Sequence, residues 1–245
     1  MLVLPPLSLY VHIPWCVRKC PYCDFNSHES SDFDEQQYLR ALIADFSLDL
    51  KFIQGRSLCS IFFGGGTPSL MSGLFYTQLL SELASMVKFD ENIEITMEAN
   101  PGTTEASRFA GYRAAGINRL SIGVQSFEPQ HLEVLGRIHS GAQARQAVEE
   151  AKLAGFDNFN LDLMHGLPKQ SAEQAIADLE QAISLAPTHL SWYQLTIEKN
   201  TEFYSQPPRL PDEDVLWDIQ EQGSNLLDSK GYRQYEVSAF SKPGQ

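Results

Sequence analysis

Tyr10-Val-His-Ile-Pro-Trp-Cys-Val-Arg-Lys-Cys-Pro-Tyr-Cys-Asp-Phe25 carries three cysteines, Cys16, Cys20 and Cys23, in the spacing C-x3-C-x2-C. Three thiolates can hold three irons of a cubane cluster and leave the fourth iron without a protein ligand. An ordinary electron-transfer cluster has four cysteines and no such vacancy. The competing reading is a structural zinc site. Zinc sites, however, usually pair C-x2-C units and add a fourth ligand. The remaining cysteine, Cys59, has no C-x2-C partner. It precedes the second expected strand, so it is expected at the opposite rim, as a buried thiol behaving like a small hydrophobe.

Outward from the cysteines, the chain alternates two periodicities. Leu7, Leu9, Val11 and Ile13 alternate with Ser8, Tyr10 and His12, which predicts a first strand. Ser60–Phe63 reads as a second, stopped by Gly64-Gly65-Gly66, and Ile93, Ile95 and Met97 mark a third. Further strands are expected over 118–125, 158–164 and 189–196, and 232–240 looks extended again. Helical spacing covers 36–54, 74–87, 104–115, 142–154, 172–185 and 212–230, with Thr103 or Thr104 capping the third of these. Repeated strand–helix alternation implies an α/β fold with a parallel sheet and outer helices. Right-handed crossovers curl such a sheet toward a barrel. Six units are too few for the closed eight-stranded form. Pro207-Pro208-Arg209-Leu210-Pro211 reads as a linker or a lid.

The chain has 245 residues, enough for one large α/β domain or two small ones, and 43% are hydrophobic, enough for a sizeable core. Lys and Arg number 18 against 31 Asp and Glu, a net charge of -13. Such a chain is a poor non-specific binder of nucleic-acid phosphates, so no nucleic acid is expected as partner. The start, Met1-Leu-Val-Leu-Pro-Pro6, lacks the positive and long apolar regions of a signal peptide. No apolar run approaches ~18 residues, so no membrane span is expected. Clustered cysteines do not suggest a secreted disulfide scaffold. A cytoplasmic location fits these points.

In barrels of this kind function sits at the carboxyl ends of the strands. Unusual polar residues fall there repeatedly. They are the cysteine loop, Gly64-Gly65-Gly66-Thr67-Pro68, Glu98-Ala-Asn-Pro101, Gly123-Val-Gln125, Asp162 ahead of His165-Gly-Leu-Pro168, and Gln194 to Thr196. Six such groups at one rim converge on one cavity. The glycine run either lets backbone approach a ligand closely or makes a tight strand-to-helix turn. Glu98 is either an acceptor for a polar ligand group or an exposed strand-end carboxylate. Tyr10 either packs near a cofactor or fills the barrel mouth. His12 is expected to be an inward-facing, hydrogen-bonded histidine.

The cysteine spacing, with the aromatic Tyr22 just before the third cysteine, resembles the radical S-adenosylmethionine (SAM) superfamily. Tyr10–Cys16, Phe63–Ser69, Glu98–Gly102, Arg119–Phe127, Leu135–His139 and Asn160–Pro168 are similar to its HemN/HemW group. The resemblance implies a partial (β/α)6 TIM-like barrel of the radical SAM type. It implies a 4Fe-4S cluster on Cys16, Cys20 and Cys23, with SAM chelating the open iron and cleaved to a 5′-deoxyadenosyl radical. Gly65 and Gly66 would hold the amino-acid end of SAM, and Glu98 a ribose hydroxyl or another polar group. Tyr22, Gly66, Thr67, Gln125, Arg137, Asp162 and Thr196 resemble positions that contact SAM or a second SAM in the group, and Tyr10 stands beside them as a candidate cofactor contact. By their residue types alone, Arg137 could equally be a surface cation and Asp162 a buried, hydrogen-bonded strand residue.

The group contains two functions: heme chaperones, and oxygen-independent coproporphyrinogen III oxidases (dehydrogenases) that decarboxylate two propionates. The dehydrogenases carry an additional cysteine two residues after the third cluster cysteine; here that position is Phe25. The resemblance therefore implies the chaperone pattern, with the oxidase as the alternative. It implies heme or porphyrin as ligand, and as partners a heme-acceptor protein, an electron donor and a second copy in a homodimer. It also implies that 1–206 is the radical SAM core and 207–245 the start of a C-terminal extension whose remainder is expected beyond Gln245.

Overall fold

A computed structural model of the chain describes residues 4–30, 32–102 and 106–244. Six parallel strands form its centre: β1 (Leu7–Ile13), β4 (Leu58–Gly65), β5 (Phe89–Ala99), β6 (Arg119–Gln125), β7 (Phe159–His165) and β8 (His189–Gln194). Between β1 and β4 lies a two-strand pair, β2 (Trp15–Cys16) and β3 (His28–Glu29). After β8 the chain adds the hairpin β9 (Arg233–Glu236) and β10 (Ala239–Ser241), in which β10 pairs antiparallel with both β8 and β9. Among the described residues the main sheet runs β1-β4-β5-β6-β7-β8-β10-β9. It is the mixed α/β partial barrel that strand–helix alternation predicts.

Alternation along each strand separates core from cavity. Val11, Ile13, Ile61, Phe63, Ile95, Met97, Leu120, Ile122, Leu161, Leu163, Leu190 and Trp192 are buried in one continuous core. The intervening residues, among them Gly64, Glu98, Ser121, Gly123, Asp162, Ser191 and Tyr193, point to the other face. Burying this apolar side under helices is the main favourable term, about 25 cal/mol per Å² of apolar surface.

Among the described residues the α-helices are α1 (Glu35–Asp49), α2 (Gly73–Met86), α3 (Phe109–Ala115), α4 (Pro129–Val134), α5 (Gly141–Leu153), α6 (Ala172–Ser184), α7 (Glu202–Ser205) and α8 (Glu213–Ser229). Their starts are built by side-chain caps. Asp34 accepts from the amides of Gln36 and Gln37, and Ser72 accepts from that of Phe75. Ser140 with Gln143, and Ser171 with Gln174, form reciprocal capping boxes. Thr103 and Thr104, expected as caps, lie outside the described residues.

Several expected bounds shift. The helix expected to reach residue 54 ends at Asp49 and tightens into a 3-10 turn over Leu50–Phe52, before Gln54 and Gly55 take positive φ. The sixth strand stops at Gln194 rather than 196. The extended stretch 232–240 is a hairpin rather than one strand. The β2–β3 pair and helices α4 and α7 were not legible from periodicity, because they are two to six residues long. The proline stretch 207–211 joins α7 to α8 and borders an open cavity of about 550 Å³ with Lys169 to Glu173. Gly223 lets α8 settle on the sheet, since a Cβ there would stand 1.9 Å from the Trp192 indole. Among the described residues no helix is long and apolar enough to cross a membrane.

Candidate functional site

A cavity of about 550 Å³ opens at the carboxyl ends of the parallel strands. Its walls bring together Cys16, Cys20, Cys23, Tyr22, Gly65, Gly66, Thr67, Glu98, Gln125, Arg137, Asp162 and Thr196. Those residues are spread over 181 positions of sequence, from 16 to 196, and only the fold joins them. Tyr10 is not in the wall. The residue is 56% exposed, its ring stacks on Phe62, and it comes near the site beside Gly64 and Glu98. His12 lies inward as expected. Its Nε2 is 2.8 Å from the Asn26 carbonyl, which can only accept, so Nδ1 accepts from the Tyr10 hydroxyl at 3.0 Å.

The cysteine loop is closed at its base and braced inside. Trp15 pairs with His28 and Cys16 with Glu29. The Trp15 ring stacks on Phe33 and meets the edge of Tyr38, each at 4.5 Å. Lys19 donates its amide to Glu29 Oε1 at 2.7 Å, and its ammonium to the carbonyls of Phe25 and Ser27 at 2.9 and 3.2 Å. Cys16 is buried, while Cys20 and Cys23 are half-buried. Burial pushes the Cys23 thiol pKa up.

The glycine run has a cause that composition did not reveal. A Cβ at Gly65 would meet the His12 ring at 2.6 Å, and one at Gly66 the Trp15 carbonyl oxygen at 2.6 Å. Gly65 also takes a φ of +116°, a left-handed backbone that glycine tolerates. The stem of the cysteine loop therefore lies directly on this run, and the Gly66 amide donates to the Ile13 carbonyl at 2.7 Å.

Glu98 is neither exposed nor free. Its Oε2 accepts from the Gly65 amide at 3.1 Å, while burial, and then the neighbouring Asp162, push its pKa up to about 7. Asp162 accepts from Ser121 Oγ at 3.0 Å and Asn160 Nδ2 at 2.7 Å, so it is a hydrogen-bonded strand carboxylate that also faces the cavity. Burial raises its pKa against those hydrogen bonds. Gln125 sits at φ +67° and accepts from the Tyr193 hydroxyl at 2.8 Å. Burial raises the pKa of the Tyr22 hydroxyl.

Arg137 is not a surface cation. It is half-buried, and its Nη2 donates to Asn100 Oδ1 at 2.5 Å and to the Gly123 carbonyl at 2.8 Å. Its Nη1 reaches Cys20 Sγ at 3.7 Å. Asn100 and Tyr193 were missed as individual site residues. Asn100 stands inside the quoted strand-end run Glu98–Pro101, so the strand-end rule could have found it. Cys59 lies at the amino end of β4 and is half-buried rather than buried. Its thiol donates to the Leu7 carbonyl at 3.3 Å, so it is not a plain apolar filler.

Among the described residues no three His, Cys, Asp or Glu side chains gather around one metal ion. A cubane asks for something else, one thiolate on each of three irons. Three thiols lining one cavity, with a guanidinium beside them, fit that demand.

A partial α/β barrel with three cysteines at the rim formed by the carboxyl ends of its strands defines a class. A model of the radical SAM superfamily matches residues 10–182, and the chain belongs to that superfamily, in its HemN/HemW group. It is 59% identical over 246 residues to the heme chaperone HemW of Haemophilus influenzae, covering 98% of this chain and 64% of that protein. It is 57% identical over 245 residues to the heme chaperone HemW of Escherichia coli, covering 100% of this chain and 65% of that one. The solved structure of coproporphyrinogen III oxidase (HemN) from Escherichia coli, described as a radical SAM enzyme, superposes with a TM-score of 0.89 at 29% identity. That match covers 98% of this chain and 56% of the other. The chain thus spans just under two thirds of the length of these curated relatives. Membership in the superfamily implies a 4Fe-4S cluster and SAM.

Proposed function

We propose that this chain is the cluster- and SAM-binding core of a heme chaperone that receives heme and passes it to an acceptor protein. Cys16, Cys20 and Cys23 hold the cluster. The Gly65–Gly66 backbone, Thr67, Glu98, Gln125, Arg137 and Asp162 hold SAM. Tyr22 closes the wall beside the cluster. Tyr10, set back from the wall, acts through His12 and the cysteine loop. When bound, the cluster supplies one-electron reduction, which requires an electron donor as partner and suits a reducing compartment such as the cytoplasm. The Arg137 guanidinium offers positive charge and planar donors to a carboxylate. Glu98 and Asp162 accept from hydroxyl or ammonium groups.

The observation that carries the chaperone reading over the oxidase is Phe25. It stands where the oxidases carry an additional cysteine, lines the cavity, and exposes 58% of its surface. A phenylalanine can neither transfer a proton nor ligate iron. The relatives named HemW support the same choice.

Heme titration tests it. The cluster-loaded chain, and a form extended to the length of the relatives, are titrated with heme and then mixed with an apo acceptor. Heme binding by the extended form and transfer to the acceptor are expected, with a homodimer as the form that releases heme. Formation of protoporphyrinogen from coproporphyrinogen III, SAM and reductant would overturn the choice in favour of the oxidase.

A further inference from the structure

Asn100 has no role among the proposed cluster and SAM ligands, yet it joins three walls of the cavity. Its amide donates to Ser69 Oγ at 3.2 Å, and its Nδ2 donates to Thr67 Oγ1 at 3.2 Å. Its Oδ1 accepts from Arg137 at 2.5 Å. Arginine has only donors, so this contact also fixes which end of the Asn100 amide faces it. From there the guanidinium continues to the Gly123 carbonyl and to Cys20 Sγ. A chain of hydrogen bonds thus runs Ser69/Thr67–Asn100–Arg137–Cys20 across the loops after β4 and β5 to the cysteine loop.

A long, flexible arginine side chain loses rotamer entropy when it is held in one place. Of the three acceptors that hold Arg137, one is a thiol and one a backbone carbonyl; Asn100 supplies the side-chain oxygen. We propose that Asn100 is a positioning residue that acts through Arg137, holding the guanidinium against Cys20 and in reach of a carboxylate in the cavity. This rests on the cluster reading given above. A donor on a cluster sulfur stabilises the more negative, reduced state, so the contact raises the reduction potential. The same fixed guanidinium is pre-organised for the carboxylate of SAM, so both properties depend on Asn100.

The test is a double-mutant cycle with Asn100→Leu and Arg137→Met in the anaerobically cluster-loaded chain. It reads the cluster reduction potential without SAM, and the SAM dissociation constant. N100L is expected to lower the potential and weaken SAM binding by about tenfold to a hundredfold, the range for lost outer-shell partners. In the R137M background, N100L is expected to leave the potential unchanged and the SAM dissociation constant within about twofold, because no guanidinium remains to be placed. An N100L protein with unchanged potential and affinity would overturn the inference. So would a full effect that persists in the R137M background, since Asn100 would then act on the fold alone. Should N100L load no cluster, Asn100→Ser, whose shorter side chain cannot reach the guanidinium, takes its place under the same two criteria. A wild-type chain that loads no cluster overturns the underlying reading as well; a loaded wild type with a silent N100L overturns only the role of Asn100.

Discussion

Glu98 Oε2 accepts a hydrogen bond from the Gly65 amide at 3.1 Å, which ties the end of β5 to the glycine run under the cysteine loop. The bond crosses between neighbouring strands, and it leaves the second carboxylate oxygen for the cavity. Burial and the nearby Asp162 hold this carboxyl at about 7, against an ordinary 4.5.

A pH dependence follows for SAM. The ionised carboxylate is the better acceptor, and it is lost as pH falls through about 7. SAM affinity of the cluster-loaded chain is therefore expected to fall between pH 8 and pH 6, within about a unit of that midpoint. Glu98→Gln should bind more weakly at pH 8 and show a flat profile across the window. Equilibrium dialysis under nitrogen measures both. An E98Q protein with the wild-type slope would assign the titration to another group.

Asp178 gives a stability prediction independent of any cofactor. It is buried and accepts from Ser126 Oγ and from the Phe127 amide at 2.8 Å. Burial nevertheless raises its pKa from 3.8 to about 6. For a raised folded pKa, the stabilising contribution is complete below the unfolded value of 3.8 and is lost as pH rises through about 6. Relative to Asp178→Asn, the wild type should lose on the order of 2–3 kcal/mol between pH 4 and pH 7. Urea midpoints of the two proteins at both pH values give this difference, in which other carboxylates cancel. Parallel pH curves for the two proteins would show that Asp178 has the same pKa folded and unfolded, so that burial does not raise it.

Gly66→Ala should separate loop packing from ligand approach. The added methyl meets the backbone carbonyl of Trp15 at 2.6 Å, and backbone cannot swing aside as a flexible side chain does. A cost of about 1–3 kcal/mol is expected from overpacking, before any cofactor is added. Thermal unfolding of the cluster-free chain checks it. Unchanged stability would return the glycine to a role in ligand approach alone.

Gly223→Ala tests how α8 sits on the sheet. Its methyl would stand 1.9 Å from the ring of Trp192, which is itself only 2% exposed. A loss of about 1–3 kcal/mol is expected, together with a change in tryptophan fluorescence. A variant as stable as the wild type would show that the helix can move off the indole.

Much of this was legible in the chain. Strand alternation such as Leu7–Ile13 and helical spacing such as Ala172–Ser184 mark their elements, because burying one face demands it. Three cysteines and five polar strand ends gave the site, because parallel strands deliver their carboxyl ends to one rim. What stayed hidden depends on contacts distant in sequence. Nothing around Gly66 says that Trp15 will lie on it, and nothing around Arg137 says that Asn100 will hold it. Residue type leaves Tyr10 open between a place near the cofactor and one in the barrel mouth, and its placement follows from the ring of Phe62 on the next strand. The two-residue strand at Trp15–Cys16 is too short for any periodicity, although it closes the cysteine loop.

Electron paramagnetic resonance of the anaerobically reconstituted, dithionite-reduced chain tests the cluster claim most directly, recorded at low temperature with and without SAM. The expected result is the signal of a reduced 4Fe-4S cluster that changes shape when SAM occupies its open iron, and loss of that signal in a Cys16→Ser, Cys20→Ser or Cys23→Ser variant. A chain that gives no such signal, or a signal indifferent to SAM, would contradict it.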